Sequence, residues 1–267
     1  MVGTKFAGYS VLEKLKSGGQ AELFLAADET GQRYALRLLH ASLRWRWKSR
    51  RRFWSGCETE SKLNHPNVVR CFSFGKSDGR PYAILEYVNG PNLKECILRN
   101  EEVLSLQRLH LLVGMASGLQ HIHESGFMHL DFKPENVVVT EDCDPKIVDF
   151  DLAQPRPDIP TRIRKLSGTP AYLAPEQFLR QPVDERADIF AFGLTAYEMM
   201  TGRKPIVGET LAQVIRKYEN FDAYFKPPRV LVPEIPIDIE RVILKCLERD
   251  VTRRYPTMGL VVRDLQS

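Results

Sequence analysis

The sequence predicts an α+β fold of two lobes, a small antiparallel-sheet lobe over residues 1–88 and a larger, mainly helical lobe over residues 89–267. Short runs of β-branched and aromatic residues, separated by turns that contain Gly and Asp, fill the first third of the chain. Beyond Asn89-Gly90-Pro91, apolar residues recur at three- and four-residue steps, which indicates helices. Because no internal repeat or low-complexity linker separates the two parts, we expect residues 1–267 to form one domain.

The first lobe is predicted to contain two groups of strands with one helix between them. That helix ends near Leu63, where Asn64-His65-Pro66 stops it. Polar turns at residues 28–32 and 76–80 join neighbouring strands. The predicted strands are Tyr9–Leu15, Ala21–Ala27, Arg33–Leu39, Val68–Phe74 and Tyr82–Val88.

The second lobe is predicted to be built around two buried helices. Ile189–Met200 is almost entirely apolar and should cross the centre of the core. Val137–Val139 and Lys146–Val148 are predicted as short strands within the helical region. The other helix carries a buried stripe that consists of Leu109, Leu112, Val113, Ala116, Leu119 and Ile122.

Composition excludes several classes of protein. The chain is 43% hydrophobic and 27% charged, which argues against disorder and against a fibrous repeat. No apolar stretch approaches the roughly 18 residues of a membrane helix, and the N-terminus lacks the apolar region of a signal peptide. The five cysteines are scattered without a CxxC pair, so we expect no disulfide framework or zinc site and a cytoplasmic location.

Positive charge is concentrated in the first lobe. Residues 1–90 carry 15 Lys and Arg against 8 Asp and Glu, and six of these basic residues lie in Arg44–Arg52 together with two tryptophans. Two interpretations of this run stay open. It is either the solvated start of a helix, with Trp45 and Trp47 packed on the lobe, or a surface for an acidic or phosphorylated partner or for homodimer formation. Nucleic acid or an anionic membrane is a less favoured ligand.

The residues best suited to chemistry lie in 129–136 and in Asp149-Phe150-Asp151. Asp131 and Asp149 supply carboxylates, Lys133 a cation and Asn136 an amide oxygen. Phosphoryl transfer needs oxygen ligands for Mg²⁺, a carboxylate that orients the attacking hydroxyl, and a cation near the migrating phosphoryl group. The pattern therefore indicates a phosphotransferase.

In order and spacing, these motifs resemble the eukaryotic-like protein kinase superfamily, in the style of bacterial Ser/Thr kinases. The resemblance implies that Asp131 is the catalytic base and Lys133 the cation of the catalytic loop, and that Asn136 and Asp149 bind Mg²⁺ or Mn²⁺. Residues 168–176 resemble the end of an activation segment, in which Glu176 would pair with Arg254. Residues 184–193 resemble the helix whose aspartate, here Asp188, braces the catalytic loop.

The resemblance also implies a site for ATP between the lobes. The glycine-rich loop, the hinge and the apolar walls that would enclose the nucleotide fall on Leu15, Gly18, Gly19, Leu23, Ala35, Arg37, Glu86, Val88 and Val138. Thr161 and Ser167 lie in the activation segment as candidates for phosphorylation, whereas Thr169 is interpreted as structural. Relatives of this style imply that the chain could be the cytosolic domain of a longer membrane receptor.

The nucleotide-anchoring motifs depart from the family pattern. Lys16 and Ala21 replace two glycines of the glycine-rich loop, and Arg37 replaces the lysine of the third strand. Gly56 aligns with the helix glutamate that clamps this lysine, so Arg37 needs another anion. Glu60, one helical turn further on, is the nearest candidate.

Three further points stay open at the level of sequence. Lys14 or Lys16 could reach the phosphates in place of the missing lysine. Leu130 replaces the arginine that grips a phosphorylated activation segment in many kinases. Asp151 replaces the glycine after Asp149-Phe150, either as a residue that tolerates left-handed backbone or as an extra charge near the metal.

The function predicted from these observations is a protein kinase-like domain that binds ATP and Mg²⁺, with Ser/Thr phosphotransfer weak or lost. An active atypical Ser/Thr protein kinase is the alternative. A small-molecule phosphotransferase is a third reading, against which residues 168–176 stand as a platform for a peptide substrate.

Overall fold

The computed structural model describes residues 1–162, 168–206, 208 and 210–267 and confirms the predicted α+β fold. Its N-terminal lobe is a six-stranded antiparallel sheet of order β1-β2-β3-β4-β6-β5, with helix α1 packed on one face. The elements of this lobe are β1 (Lys5–Phe6), β2 (Tyr9–Ser17), β3 (Ala21–Ala27), β4 (Arg33–Leu39), α1 (Trp47–Glu60), β5 (Cys71–Ser77) and β6 (Arg80–Glu86).

The two faces of the sheet bury different clusters, as the two-residue period of a strand requires. Leu36 and Leu38 point to the face that β1 covers. Ala35 and Leu39 point to the other face, where they pack with Phe53 of α1. Arg37 lies in register between these two residues, so its side chain enters the interior between the sheet and α1.

The hairpin of β5 and β6 differs from its predicted position. The predicted strands Val68–Phe74 and Tyr82–Val88 are each displaced along the chain, because the turn needs only Asp78 and Gly79. Both turn residues have positive φ, 49° and 75°, as expected for a type I′ turn. Val69 instead donates its main-chain N–H to Ile147 O at 2.9 Å and so joins the sheet lobe to the helical lobe.

The helical lobe is organised around α6, which is buried from Ala187 to Met200 as predicted. The stripe on α4 is confirmed except at Leu109, which is 50% exposed in the first turn of the helix. The helices are α2 (Leu93–Arg99), α3 (Val103–Leu106), α4 (Arg108–Glu124), α5 (Pro175–Phe178), α6 (Arg186–Thr201), α7 (Leu211–Glu219), α8 (Phe221–Tyr224), α9 (Pro228–Leu231), α10 (Ile237–Cys246) and α11 (Met258–Gln266). The strands are β7 (Phe127–Met128), β8 (Val137–Val139), β9 (Pro145–Ile147), β10 (Gln154–Pro155), β11 (Thr161–Arg162) and β12 (Pro182–Val183).

The segment that connects the lobes passes very close to β8. Gly90 has a φ of 155°, and a Cβ on it would lie 1.9 Å from Val139 O, so only glycine fits there. Asn92, two residues on, forms a β-bridge with Val138. The connection is therefore fixed against β8, the strand that directly follows Asn136. Within the described part of the chain, no helix combines the length and apolarity required to cross a bilayer.

A buried ion pair ties the end of the activation segment to the C-terminal region, as predicted. Arg254 Nη1 and Nη2 lie 2.6 and 2.8 Å from Glu176 Oε1 and Oε2. Both side chains are almost fully buried, and Arg254 also stacks on the Phe190 ring at 4.6 Å. Removing one partner of such a pair leaves an uncompensated charge in the interior.

We expect Arg254→Ala to lower the free energy of unfolding by about 3–5 kcal/mol, measured by urea denaturation. Arg241→Ala is the matched control, because its ion pair with Asp238 is 70% and 75% exposed. Arg241→Ala should lower the free energy of unfolding by less than about 1 kcal/mol. Equal effects of the two substitutions would contradict a structural role for the buried pair.

Candidate active site

The loop that carries Asp131 is held by a carboxylate from α6. Asp188 accepts hydrogen bonds from the main-chain N–H groups of His129 and Leu130, both at 2.8 Å, and lies 2.9 Å from His123 Nε2. It is 1% exposed. Leu130 has a φ of 59°, a costly backbone conformation for a bulky residue, which these bonds help to maintain. The predicted bracing role of Asp188 is confirmed.

Two of the predicted catalytic and metal-binding side chains, Lys133 and Asn136, converge on Asp131. Lys133 Nζ lies 2.7 Å from Asp131 Oδ2, and Asn136 Nδ2 donates to the main-chain oxygen of Asp131 at 2.9 Å. Asn136 Nδ2 is also 3.2 Å from Asp131 Oδ2. Thr169 joins this cluster, since its hydroxyl accepts from Lys133 Nζ at 2.8 Å and its N–H donates to Asp131 Oδ1 at 3.3 Å. The interpretation of Thr169 as a structural residue fits these contacts.

Asp149 is brought beside this loop by main-chain pairing. The N–H of Val148 donates to Asn136 O at 2.9 Å, and Asp149 follows directly with a φ of 68°. Phe150 is fully buried, and its ring centroid lies 5.0 Å from that of His129. The residue with left-handed backbone is therefore Asp149 and not Asp151. The interpretation that Asp151 is present because it tolerates left-handed backbone is wrong.

The oxygen atoms available here fit Mg²⁺ or Mn²⁺. The amide nitrogen of Asn136 faces Asp131, which leaves Oδ1 for a cation, and Asp149 is exposed. Over the described residues, no cluster of three His, Cys, Asp or Glu side chains could hold a metal unaided. Mg²⁺ is typically bound by one or two protein oxygens together with substrate phosphates and water. Two protein ligands, Asn136 and Asp149, are therefore enough.

The residues predicted to surround a nucleotide lie on β2 and the turn after it, on β3, β4 and β6, on the connecting segment and on β8. In the strand registers Leu23 pairs with Arg37 and Ala35 with Leu85, while Leu15 is 37% exposed. Val88 packs against the main core, and Val138 is half-buried on β8. Gly18 and Gly19 are exposed in the turn after β2.

Glu86 contributes its carboxylate to structure in this region. That carboxylate lies 2.7 Å from Lys146 Nζ and accepts from the N–H of Arg70 at 3.2 Å. The Glu86 N–H donates to Arg70 O at 2.8 Å. The Glu86 side chain thus ties the start of the connecting segment to both lobes.

Arg37 is paired with Glu60, as the sequence predicted. Its Nη1 and Nη2 lie 2.7 and 2.6 Å from Glu60 Oε1 and Oε2, and Nη2 also donates to Cys57 Sγ at 3.3 Å. Arg37 is 8% exposed and Glu60 fully buried. Burial alone would lower the pKa of Arg37, but the neighbouring acidic groups, Glu60 first and then Asp151, Cys57 and Asp149, together outweigh this effect. The pKa therefore lies well above its ordinary value. Burial also raises the pKa of Glu60, and the contact with Arg37 opposes that shift.

The glycine at position 56 is explained by what lies against it. A Cβ there would be 3.2 Å from both Asp151 Oδ1 and the main-chain oxygen of Phe150. Because α1 approaches the Asp149–Asp151 segment this closely, the helix has no room for a carboxylate at position 56. The carboxylate that meets Arg37 comes from one turn later in the helix.

Asp151 fills the space beside Gly56. Its Oδ1 is buried and has no hydrogen-bond partner among the residues that the structure describes. Burial raises the pKa of Asp151 to about 6, although the Arg37 charge acts in the opposite direction. Sequence reasoning left this residue undecided. The sequence does contain a clue to the position of Asp151. The family glutamate is replaced by Gly56, which lacks a side chain, and the family glycine is replaced by Asp151, which adds one.

The two lysines proposed to replace the family lysine differ in position. Lys14 forms an ion pair with Glu22 at 2.7 Å and lies 5.9 Å above the Phe24 ring, on the face of the sheet opposite to Arg37. The suggestion that Lys14 reaches the phosphates is therefore wrong. Lys16 pairs in register with Leu23 and is exposed, so its role stays a prediction.

The tryptophans of the basic run do not pack on the lobe, which corrects one reading of it. Trp45 is 80% exposed and Trp47 is 65% exposed. Arg44 and Arg51 stack on these rings at 5.3 and 5.4 Å.

Of the two candidate phosphorylation positions, Thr161 is exposed in β11, where it pairs with Val183 of β12. Ser167 lies outside the described residues.

Comparison with known proteins assigns the family. Residues 9–264 match the family model for the protein kinase domain, so the chain belongs to the protein kinase family. A probable serine/threonine-protein kinase of Streptomyces coelicolor is 30% identical over 267 residues, which cover 97% of this chain and 39% of that protein. The serine/threonine-protein kinase PrkC of Bacillus subtilis is 29% identical over 100% of this chain and 41% of its own length. The chain thus spans less than half of these relatives.

A solved structure shows the same fold. The kinase domain of PknI from Mycobacterium tuberculosis superposes with a TM-score of 0.74 at 23% identity, over 100% of this chain and 98% of that one. The predicted two-lobed kinase fold is confirmed.

We expect Glu60→Ala to lower the free energy of unfolding by about 3–5 kcal/mol, because it leaves the Arg37 guanidinium buried without an anion. Urea denaturation measures the change. Glu58→Ala on the exposed side of the same helix is the matched control and should stay within about 0.5 kcal/mol. If both variants unfold at the same urea concentration, the pair does not stabilise this lobe.

Proposed function

We propose that this protein kinase domain binds ATP with Mg²⁺ or Mn²⁺ and transfers phosphate to Ser or Thr hydroxyls of protein substrates slowly or not at all. The observation that carries the proposal is the closed Arg37–Glu60 pair. Both Nη atoms of Arg37 bond to Glu60, and its Nε is buried without a partner among the described residues. A guanidinium held in this way is poorly placed to reach a phosphate in the cleft.

The catalytic loop supports retention of nucleotide and metal. Asn136 and Asp149 would hold the metal, which on binding would neutralise phosphate charge. Asp131 would orient the substrate hydroxyl through Oδ1 or Oδ2 and accept its proton. Lys133, 2.7 Å from Asp131, would place positive charge beside the transferring group. Of these side chains, Asp131, Lys133 and Asn136 already contact one another.

Two alternatives remain distinct from this proposal. An active atypical Ser/Thr kinase is favoured by the intact cluster around Asp131. A small-molecule phosphotransferase is disfavoured by residues 168–176, where the Lys133–Thr169 contact at 2.8 Å joins the activation segment to the catalytic loop.

We expect ATP with MgCl₂ to raise the Tm of the wild-type protein, because a ligand that binds only the folded state stabilises it. Asp149→Asn should abolish the metal-dependent part of this shift. Radiolabelled phosphate should enter protein at a low rate or not at all, and Asp131→Asn should remove any incorporation that the wild type shows. No Tm shift would contradict nucleotide binding. Rapid incorporation into protein would select the active kinase, and incorporation into an amine or sugar would select the third reading.

We also propose that residues 44–52, the basic surface, bind an acidic segment of a protein partner. No acidic residue lies in the first turn of α1, so its basic side chains add to the positive end of the helix dipole. An acidic segment would offset this charge, and the exposed rings of Trp45 and Trp47 offer apolar contact beside it.

We expect a fluorescent polyglutamate peptide to bind the wild-type protein at low salt and to dissociate as salt is raised, because the contacts are exposed ion pairs. Arg50→Ala combined with Arg51→Ala should weaken binding several-fold, measured by fluorescence anisotropy. Arg241→Ala on the helical lobe serves as the control. Equal affinity of the double variant, or tighter binding of a DNA oligonucleotide than of the peptide, would contradict the proposal.

A further inference from the structure

Arg52 lies between the turn that follows β2 and the Asp149–Asp151 segment. Its Nε donates to the main-chain oxygen of Asp151 at 3.0 Å, two residues after the candidate metal ligand Asp149. On the other side lies the amide of Gln20, in the turn between β2 and β3. With its oxygen facing the guanidinium, Gln20 accepts from Arg52 Nε at 3.2 Å and from Nη1 at 3.1 Å. Arg52 thus connects the glycine-rich loop to the metal-binding segment.

The charge of Arg52 is not neutralised by these contacts. Both partners are uncharged oxygens, and its guanidinium forms no ion pair within the part of the chain that the structure describes. Arg37 differs in each respect, since it is buried and paired with Glu60 through both Nη atoms. Arg52 is half-buried, and these contacts use Nε and Nη1, which leaves the N–H groups of Nη2 for a phosphate.

We propose that Arg52, from helix α1, is the residue that binds the terminal phosphates of the nucleotide in place of the third-strand cation. This inference rests on the proposed binding of ATP. A guanidinium presents a planar fork of N–H groups that matches phosphate oxygens and is always charged. The contacts to the Gln20 amide and the Asp151 main-chain oxygen orient this fork. The Asp151 carboxylate is close enough to interact with the Arg52 charge but forms no ion pair with it in the described structure. Phosphate anchoring has therefore moved from the strand to the helix.

Two other cations are weaker candidates for this role. Lys14 is on the opposite face of the sheet and is paired with Glu22. Lys16 is exposed on a flexible four-carbon stem and has no side-chain contact to the metal-binding segment among the described residues. Arg52 alone of the three bonds to residues on both sides of the cleft.

A phosphorylated residue of the activation segment would present the same phosphate chemistry to Arg52. A nucleotide phosphate and a phosphorylated residue can be distinguished by the measurement that depends on Arg52. A nucleotide phosphate makes Arg52 important for ATP and ADP but not for adenosine. A phosphorylated residue makes it important only before phosphatase treatment. Nucleotide affinity is therefore measured on phosphatase-treated protein.

The experiment compares the Kd of adenosine, ADP and the non-hydrolysable analogue AMP-PNP, each with MgCl₂, by isothermal titration calorimetry. We expect Arg52→Ala to weaken AMP-PNP about tenfold or more, the loss expected for hydrogen bonds to a charged group, and to leave adenosine unchanged. Arg52→Lys should recover part of the loss. Arg52→Gln gives a second uncharged variant, in case Arg52→Ala lowers the Tm of the unliganded protein.

Arg241→Ala is the control, because Arg241 is an exposed arginine on α10 of the other lobe. It should bind all three ligands as the wild type does. Equal affinity of Arg52→Ala and wild type for AMP-PNP overturns the inference, and so does an equal loss for adenosine and AMP-PNP. A wild-type protein that binds none of the three ligands refutes the proposed function itself.

Discussion

The buried pair between Arg37 and Glu60 sets the geometry of the sheet lobe. A charged guanidinium on the inner face of β4 cannot remain in the interior without an anion, so α1 must present one to it. The only carboxylate that does so in the described structure is Glu60, at the last turn of α1. This requirement fixes how far α1 extends along the sheet and which of its faces turns inward.

The position of α1 then determines what can lie beside it. With Glu60 against Arg37, position 56 faces the main chain of Phe150, where a Cβ would be 3.2 Å from the carbonyl oxygen. The helix therefore carries glycine there, and the adjoining space holds the Asp151 side chain. The same closeness brings Arg52, one turn before Gly56, to 3.0 Å from Asp151 O. The substitutions at 37, 56 and 151 are consequently parts of one rearrangement.

Sequence reasoning succeeded where a relationship is local. Asp131, Lys133 and Asn136 lie within six residues, and the turn they form leaves few ways to separate their side chains. Glu60 was found because residues four apart share a helix face. Sequence reasoning failed where contacts join segments that are distant in the chain, or where a strand is irregular. The bond between Arg52 and Asp151 spans 99 residues, and a bulge between Lys14 and Lys16 changes which face each lysine occupies.

The catalytic loop and the region around Arg37 are held in place by different contacts. This explains why the first follows the family pattern and the second departs from it. The catalytic loop is held from within its own lobe by Asp188, whose three contacts do not involve the nucleotide-binding lobe. It therefore keeps its geometry whatever α1 does. The region around Arg37 depends on the distance between α1 and β4, so a change at Arg37 forces changes along the helix. Because the two regions are held separately, the cluster around Asp131 stays assembled although α1 and β4 are rearranged.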